Sequence, residues 1–217
     1  MSKLPTLLAI DPGNRESAFV RMSIPGDDSP PVPLGFNKIV NEDMLDLIEG
    51  NEKNVEEEFK EGWGPFDRVC IEYPFPRGQL PTTQLFDTVA WIGEIRHVFQ
   101  RNHPKRWLDD DWKVDRGKAK YAVCLRTAGV TDSHIRQTLI DIYGGEDIAV
   151  GGRKCRKCKG KGWRGRDHDP CDACPESCGW ETKPGPLHGM TRDMWAALAV
   201  GYTWIKARRD SSFSTGM

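Results

Sequence analysis

The chain has 217 residues, 38% of them hydrophobic, and a formal net charge of −1, enough to bury one sizeable core with a small appendage. No run of about 18 apolar residues occurs, which excludes a helical membrane span. No long apolar stretch opens the sequence either, so no signal peptide is evident and a cytoplasmic protein is expected.

Leu7 to Ile10 is a short apolar run of the kind found in buried strands. It ends in Asp11, followed at once by the turn pair Pro12-Gly13. A carboxylate is costly to bury without a partner. Asp11 therefore either starts the turn or is delivered by a core strand to a metal or a phosphate. Residues 16–24 read as a second strand, 25–33 as a Gly/Asp/Ser/Pro-rich loop, and 34–40 as a third strand. Residues 41–49 form a short helix with Met44, Leu45, Leu47 and Ile48 apolar and Gly50 as its stop. The acidic stretch 56–61 reads as a solvent-facing helix surface.

Residues 66–73 (FDRVCIEY) form a strand that Pro74 ends, followed by a loop. A helix over 83–101 follows, with Leu85, Val89, Ile92 and Phe99 on one stripe and Phe86 and Ile95 beside it. Trp91 and His97 within it are read as packing residues. Residues 112–114 form a short strand, 116–127 (RGKAKYAVCLRT) a basic helix, and 132–143 a helix with Ile135, Leu139 and Ile142 inward. After a cysteine-rich segment, 191–206 is strongly helical and 208–217 is a polar, frayed tail. Strands first and helices after, with one late insertion, predict a mixed α/β sheet flanked by helices.

The opening pattern recurs. In Val69-Cys70-Ile71-Glu72-Tyr73-Pro74 a glutamate ends an apolar strand, and Asp193 lies at the start of the last helix. Acids from two strand ends and a helix start can converge at the edge of a sheet. Divalent metal satisfies such a set, and Mg²⁺ prefers hard oxygen ligands.

The charge is unevenly spread. Residues 153–166 (RKCRKCKGKGWRGR) hold eight Lys or Arg and no acid, which leaves −9 for everything else. Such a patch on an acidic protein points to a polyanionic partner, nucleic acid above all; a solvated charge run is the alternative. Within and beyond it, Cys155/Cys158 and Cys171/Cys174 form two C-x2-C pairs separated by twelve residues. That is the spacing of one structural zinc site with four thiolates, in which Cys178 or His168 could replace a ligand. A short Gly-, Arg- and Lys-rich segment cannot form its own apolar core, so zinc supplies its folding free energy. CKGKGW resembles half of the DnaJ-type zinc motif, whereas CPESCGW departs from it. The cations Arg153, Lys154, Arg156, Lys157, Lys159, Lys161, Arg164 and Arg166 are candidate phosphate contacts. Trp163 is a candidate for stacking on an exposed base, or simply covers the knuckle. Cys70 and Cys124 read as core residues.

LAIDPG, CIEYP and DMWAALAVG, with LFDTVAWIGEI, RGKAKYAVCLRT, DSHIRQTLIDIYGG and PGPLHGM between and beside them, resemble the RuvC-type Holliday junction resolvases, in particular those carried by bacteriophages. The resemblance implies an RNase H-like fold with a five-stranded mixed sheet over 1–150 and 181–207. A zinc-ribbon-like insertion would occupy 151–180. It further implies two Mg²⁺ (or Mn²⁺) ions bridged by Asp11, with Glu72 on one and Asp193 on the other. The partner would be four-way or otherwise branched DNA, bound by a homodimer through the helix over 83–101. Arg116, Lys118 and Lys120 fall in the block where the family carries basic residues next to the scissile strand, and Arg77 would add to that surface. Arg116 and Lys120 are spaced to share a helix face. RuvC proteins usually carry two acids, or a His and an acid, three residues apart near this point. Aligned on Ala197-Leu198-Ala199, Asp193 takes the first position and Ala196 the second; the alternative register makes Asp193 the last acid and leaves Met190 at the other position. His188 could supply a fourth ligand. A flap or fork nuclease of the same fold and a non-catalytic junction-binding protein are the rival readings. An actin-like nucleotide site would need a second phosphate loop later in the chain, and none is read there (Asp115-Arg116-Gly117 runs into the basic helix), so no nucleotide cofactor is expected.

Overall fold

A computed structural model describes residues 4–51, 57, 63–64, 66–75, 82–102, 112–159, 161, 163–164, 169–174 and 182–214. The chain divides into two compact units, Met1–Arg136 with Met190–Met217, and Gln137–Gly189.

In the first unit, β1 (Thr6–Pro12), β2 (Glu16–Ser23), β3 (Pro33–Val40), β4 (Arg68–Tyr73) and β5 (Lys113–Asp115) form a sheet in the order β3-β2-β1-β4-β5. β1, β2 and β3 are antiparallel neighbours, whereas β1–β4 and β4–β5 are parallel, so the sheet is mixed and five-stranded. The helices are α1 (Asn41–Glu49), α2 (Thr83–Asn102), α3 (Arg116–Cys124), α4 (Asp132–Ile142), the single turn α5 (Glu146–Ala149) and α6 (Arg192–Ser214). The division between units falls within α4. α5 and two short strands, β6 (Trp163–Arg164) and β7 (Asp169–Pro170), belong to the second unit.

Helices cover both faces of the central strands, which is why β1 reads as an unbroken apolar run rather than an alternation. Leu8 and Ile10 join Phe19, Ile71, and Met44, Ile48, Ile92 and Phe99 of α1 and α2 in one buried core. Leu7, Ala9 and Asp11 alternate to the opposite face, against which α6 packs. Gly201 permits the close approach: a Cβ there would stand 2.4 Å from Met22 Cε and 2.9 Å from Ala9 Cβ.

Several boundaries depart from expectation for local reasons. α2 buries Trp91, Ile92, Ile95, Val98 and Phe99. At about 100° per residue, Phe86 and His97 fall opposite Ile95. Phe86 is accordingly 62% exposed rather than beside the buried stripe. His97 is exposed rather than packed. Trp91 does pack, and its indole N–H donates to Ser17 Oγ at 2.9 Å. α3 stops at Cys124, short of the expected 127, because Leu125 turns to a left-handed φ of 57° and its N–H returns to the Tyr121 carbonyl. α6 continues through Ser214 where a frayed tail was expected from 208. Arg208 lies over the Trp204 ring at 4.0 Å, and Arg209 donates to the Ser29 carbonyl at 2.9 Å, which anchors the extra turns. The acidic stretch 56–61 lies outside the described residues apart from Glu57.

In the second unit the chain leaves α5 and returns beside it. Gly151 and Pro184 form a bridge, and Gly185 and Leu187 donate to the carbonyls of Val150 and Ala149 at 2.9 and 2.8 Å.

Candidate functional site

The parallel register of β1 and β4 pairs Ile10 with Ile71. One residue further along each strand, Asp11 and Glu72 therefore stand side by side on the face that α6 covers. The turn that follows Asp11 is tightly built. A Cβ on Gly13 would lie 2.3 Å from the Glu16 carbonyl oxygen. The buried Asn41 side chain, accepting from Ser17 Oγ at 2.9 Å, donates to the Gly13 carbonyl at 3.3 Å. Asn41 thus props this turn instead of capping α1, whose first N–H groups have no side-chain cap.

An open cleft of about 990 Å³ is lined by Asp11, Glu72, Asp193, Arg116, Asp132 and Arg136, with Ala196 and Trp195 completing its helix side. The three acids singled out in the sequence thus share one cavity. Glu72 is buried, at 9% exposed, while Asp11 keeps partial access through the cleft and is otherwise closely surrounded by protein. Burial, then the negative charge of Glu72, pushes the Asp11 carboxyl up to about 7, with Asp193 and Asp132 adding to the rise and Arg116 opposing it. Burial also raises the Glu72 carboxyl, against the pull of Arg116.

Two cations balance the acids. Arg116 reaches Glu72 Oε1 at 3.4 Å with one guanidinium nitrogen and Asp132 Oδ1 at 2.9 Å with the other. Lys38 of β3 contacts Asp193 Oδ2 at 3.0 Å and Glu16 Oε2 at 2.7 Å, and both acids hold its ammonium pKa above the usual range. Sequence reasoning missed Lys38, Asp132, Arg136 and Trp195. The spacing of Asp132 and Arg136 on one face of α4 was the available signal; Lys38 has none apart from the strand register. Arg136 lies over the Trp195 ring at 5.4 Å, a cation on an aromatic shelf at the cleft wall.

The other expected basic residues are distributed differently. Lys118 is exposed on α3, whereas Lys120 donates to the Val130 carbonyl at 2.9 Å. His188 belongs to the second unit, where its ring packs on Gly152, at φ 73°. Arg77, Arg166, His168 and Cys178 lie outside the described residues.

In the second unit, the sulfurs of Cys155, Cys158, Cys171 and Cys174 all lie within 4.8 Å of one another, and all four residues are buried. Cys155 and Cys171 are 3.8 Å apart and Cys158 and Cys174 3.4 Å. A tetrahedron with Zn–S of about 2.3 Å has edges of about 3.8 Å, so the cluster fits a zinc insertion. Among the described residues no other set of three or more potential ligands approaches to that spacing; the three carboxylates share a cleft without closing on one point. Around the cysteines, Arg153 pairs with Asp147 at 2.7 Å and Lys157 with Asp172 at 3.7 Å. Lys161 lies over the Trp163 ring at 4.9 Å. Lys154, Arg156 and Lys159 are exposed.

No protein-family model matches the chain, and comparison with curated proteins finds no match. Among solved structures, the fold is similar to that of RuvC from Thermus thermophilus, with a TM-score of 0.51 at 11% identity over 94% of this chain and 96% of that one. A second structure, T. thermophilus RuvC in complex with Holliday junction substrate, aligns with a TM-score of 0.48 at 12% identity over 94% and 96% of the two chains. The likeness is one of fold: a RuvC-like, RNase H-like mixed sheet flanked by helices.

Proposed function

We propose that this chain is a Mg²⁺- or Mn²⁺-dependent, structure-selective DNA endonuclease that resolves four-way and other branched junctions, on the bacteriophage version of the RuvC plan. The observation that carries the reading is the side-by-side placement of Asp11 and Glu72 at parallel strand ends, in a cleft shared with Asp193. Their hard oxygen donors suit the proposed metal. A divalent ion there would activate water for in-line attack on a phosphodiester and stabilise the leaving oxygen. Asp11 holds the centre of the site, with Glu72 and Asp193 on either side. Arg116 fixes the Glu72 carboxylate, and the Arg136–Trp195 shelf offers a cation to a backbone phosphate.

Residues 1–150 and 181–207 would form the nuclease domain and 151–180 the zinc module, with one structural Zn²⁺ on the four cysteines. The module's cations, with Lys118 and Arg116, add phosphate contacts. Two symmetric nicks require two sites, so the working unit is a homodimer formed through α2, where the 62% exposed Phe86 supports a self-contact. No described helix is long and apolar enough to cross a membrane, and the cytoplasm, of the host if phage-encoded, is the proposed location. A non-catalytic junction binder is the rival, drawn from Ala196, which brings no ligand atom to the cleft. Incubation of purified protein with synthetic four-way, three-way and linear DNA, with and without Mg²⁺, decides between them. Metal-dependent cutting of the branched substrates supports the proposal; tight binding without cutting supports the rival.

A further inference from the structure

The register of the sheet places a third charged group in line with the carboxylates. Asp11 pairs with Ala18 across β1 and β2, and Ala18 pairs with Lys38 across β2 and β3. Directly paired residues share a face. Lys38, Ala18, Asp11 and Glu72 therefore form one row across the α6 side of the sheet, with only a methyl group between the ammonium and the central acid. Lys38 is held from two sides. Glu16, diagonal to it on β2, contacts its Nζ at 2.7 Å, and Asp193 contacts it at 3.0 Å.

On the helix side, Asp193 is the cleft's acid at the start of α6, and Ala196, one turn on and lining the same cleft, has no ligand atom. A second divalent ion on that side would rely on Asp193 and a share of Asp11. It would also sit against an ammonium already bound to Asp193. On the opposite side, Glu72 and Asp11 are adjacent, and Arg116 engages Glu72 from beyond, together with Asp132.

The geometry points to Lys38 as the site's resident second cation: it occupies the charge position beside Asp193, so that the cleft loads one divalent ion, on Asp11 and Glu72, instead of two. This rests on the metal-nuclease reading above and changes how many ions that site holds. Lys38 acts through Asp193 and is a positioning residue. Removing its charge frees Asp193 to hold metal.

The test counts ions on the zinc-loaded full chain, titrated with Mn²⁺ while free Mn²⁺ is read by electron paramagnetic resonance. Wild type should bind one Mn²⁺ per chain. Lys38→Met should bind two, the second about tenfold tighter than any further ion on wild type, because one repelling charge is gone. Lys38→Gln, which keeps a polar side chain, is the second variant should the first fail to fold, with thermal melting as the check. Two ions on wild type, or one ion on wild type and folded variants alike, would overturn the assignment while leaving the nuclease reading intact. No Mn²⁺ on wild type, or unchanged binding by Asp11→Asn, would remove the nuclease reading and this inference with it.

Discussion

Asp11 and Glu72 stand side by side at the ends of two parallel strands, one residue beyond the Ile10–Ile71 pair. Neighbouring strands lie about 4.8 Å apart, so the fold holds two carboxylates together where burial already disfavours their charge. Metal, or a proton, resolves the conflict.

The conflict has a pH signature in metal-free protein. The Asp11 carboxyl is pushed from 3.8 to about 7 on folding, by burial first and then by Glu72. The folded state therefore holds a proton that the unfolded chain has lost. Stability should fall as pH rises from about 4 to about 7, and the penalty should be complete above that. Asp11→Asn removes the penalty, by at most ~4 kcal/mol at pH 8, and gains little at pH 4. Thermal melting of both proteins across this range, with chelator present, checks the sign. A gap that widens towards acid would be the wrong sign.

Asp193 and His188 should separate clearly. Asp193 lines the cleft beside the other acids, whereas His188 packs on Gly152 in the second unit. Asp193→Ala should lower the rate of junction cleavage roughly a hundredfold or more, as losing one electrostatic stabiliser does elsewhere. His188→Ala should do much less. Single-turnover kinetics on one junction substrate compares them, and a reversed order would contradict the placement of Asp193 as the third acid of the site.

Gly201 is where α6 meets the sheet. Gly201→Val would drive a side chain into Ala9 Cβ and Met22 Cε, at about 1–3 kcal/mol of overpacking. The melting temperature should drop. Because α6 packs on the face of β1 that carries Asp11, metal affinity should weaken with it, which isothermal titration would detect.

The zinc module should be separable. The protein should carry about one zinc per chain, lost when Cys155 and Cys171 are both replaced by Ser. Replacing residues 152–180 with a Gly/Ser linker should leave the nuclease unit folded. It should also flatten the slope of log affinity against log salt, because phosphate contacts disappear. Metal analysis, melting and a junction-binding salt series read the three parts. An unchanged slope would assign the basic run to something other than DNA.

What the sequence made legible follows from how strongly local pattern constrains each feature. Leu7 to Ile10 and Val69 to Ile71 are buried on both faces, so their apolar runs announced strands, and the acids that break them announced the cleft. The paired C-x2-C motifs announced the cysteine cluster, since few other arrangements use that spacing. Arg116 and Lys120 do reach the same 130–132 segment, at Asp132 and the Val130 carbonyl, but nothing local to their helix signalled the ion pair of Arg116 with Glu72. Lys38 was invisible, because its place opposite Ala18 depends on a strand register set across the loop over 24–32. Phe86 looked like a neighbour of the apolar stripe, although nine residues of helical phase put it opposite Ile95, and it faces solvent.

The most direct test of the central claim measures cleavage and binding of one synthetic four-way junction by wild type, Asp11→Asn and Glu72→Gln. With Mg²⁺, wild type should cut the junction and spare the linear duplex. Both variants should bind the junction as wild type does, because phosphate contacts come from elsewhere, yet cut it roughly a hundredfold or more slowly. Substantial Mg²⁺-dependent cutting by either variant would contradict the assignment of Asp11 and Glu72 as the metal-holding pair.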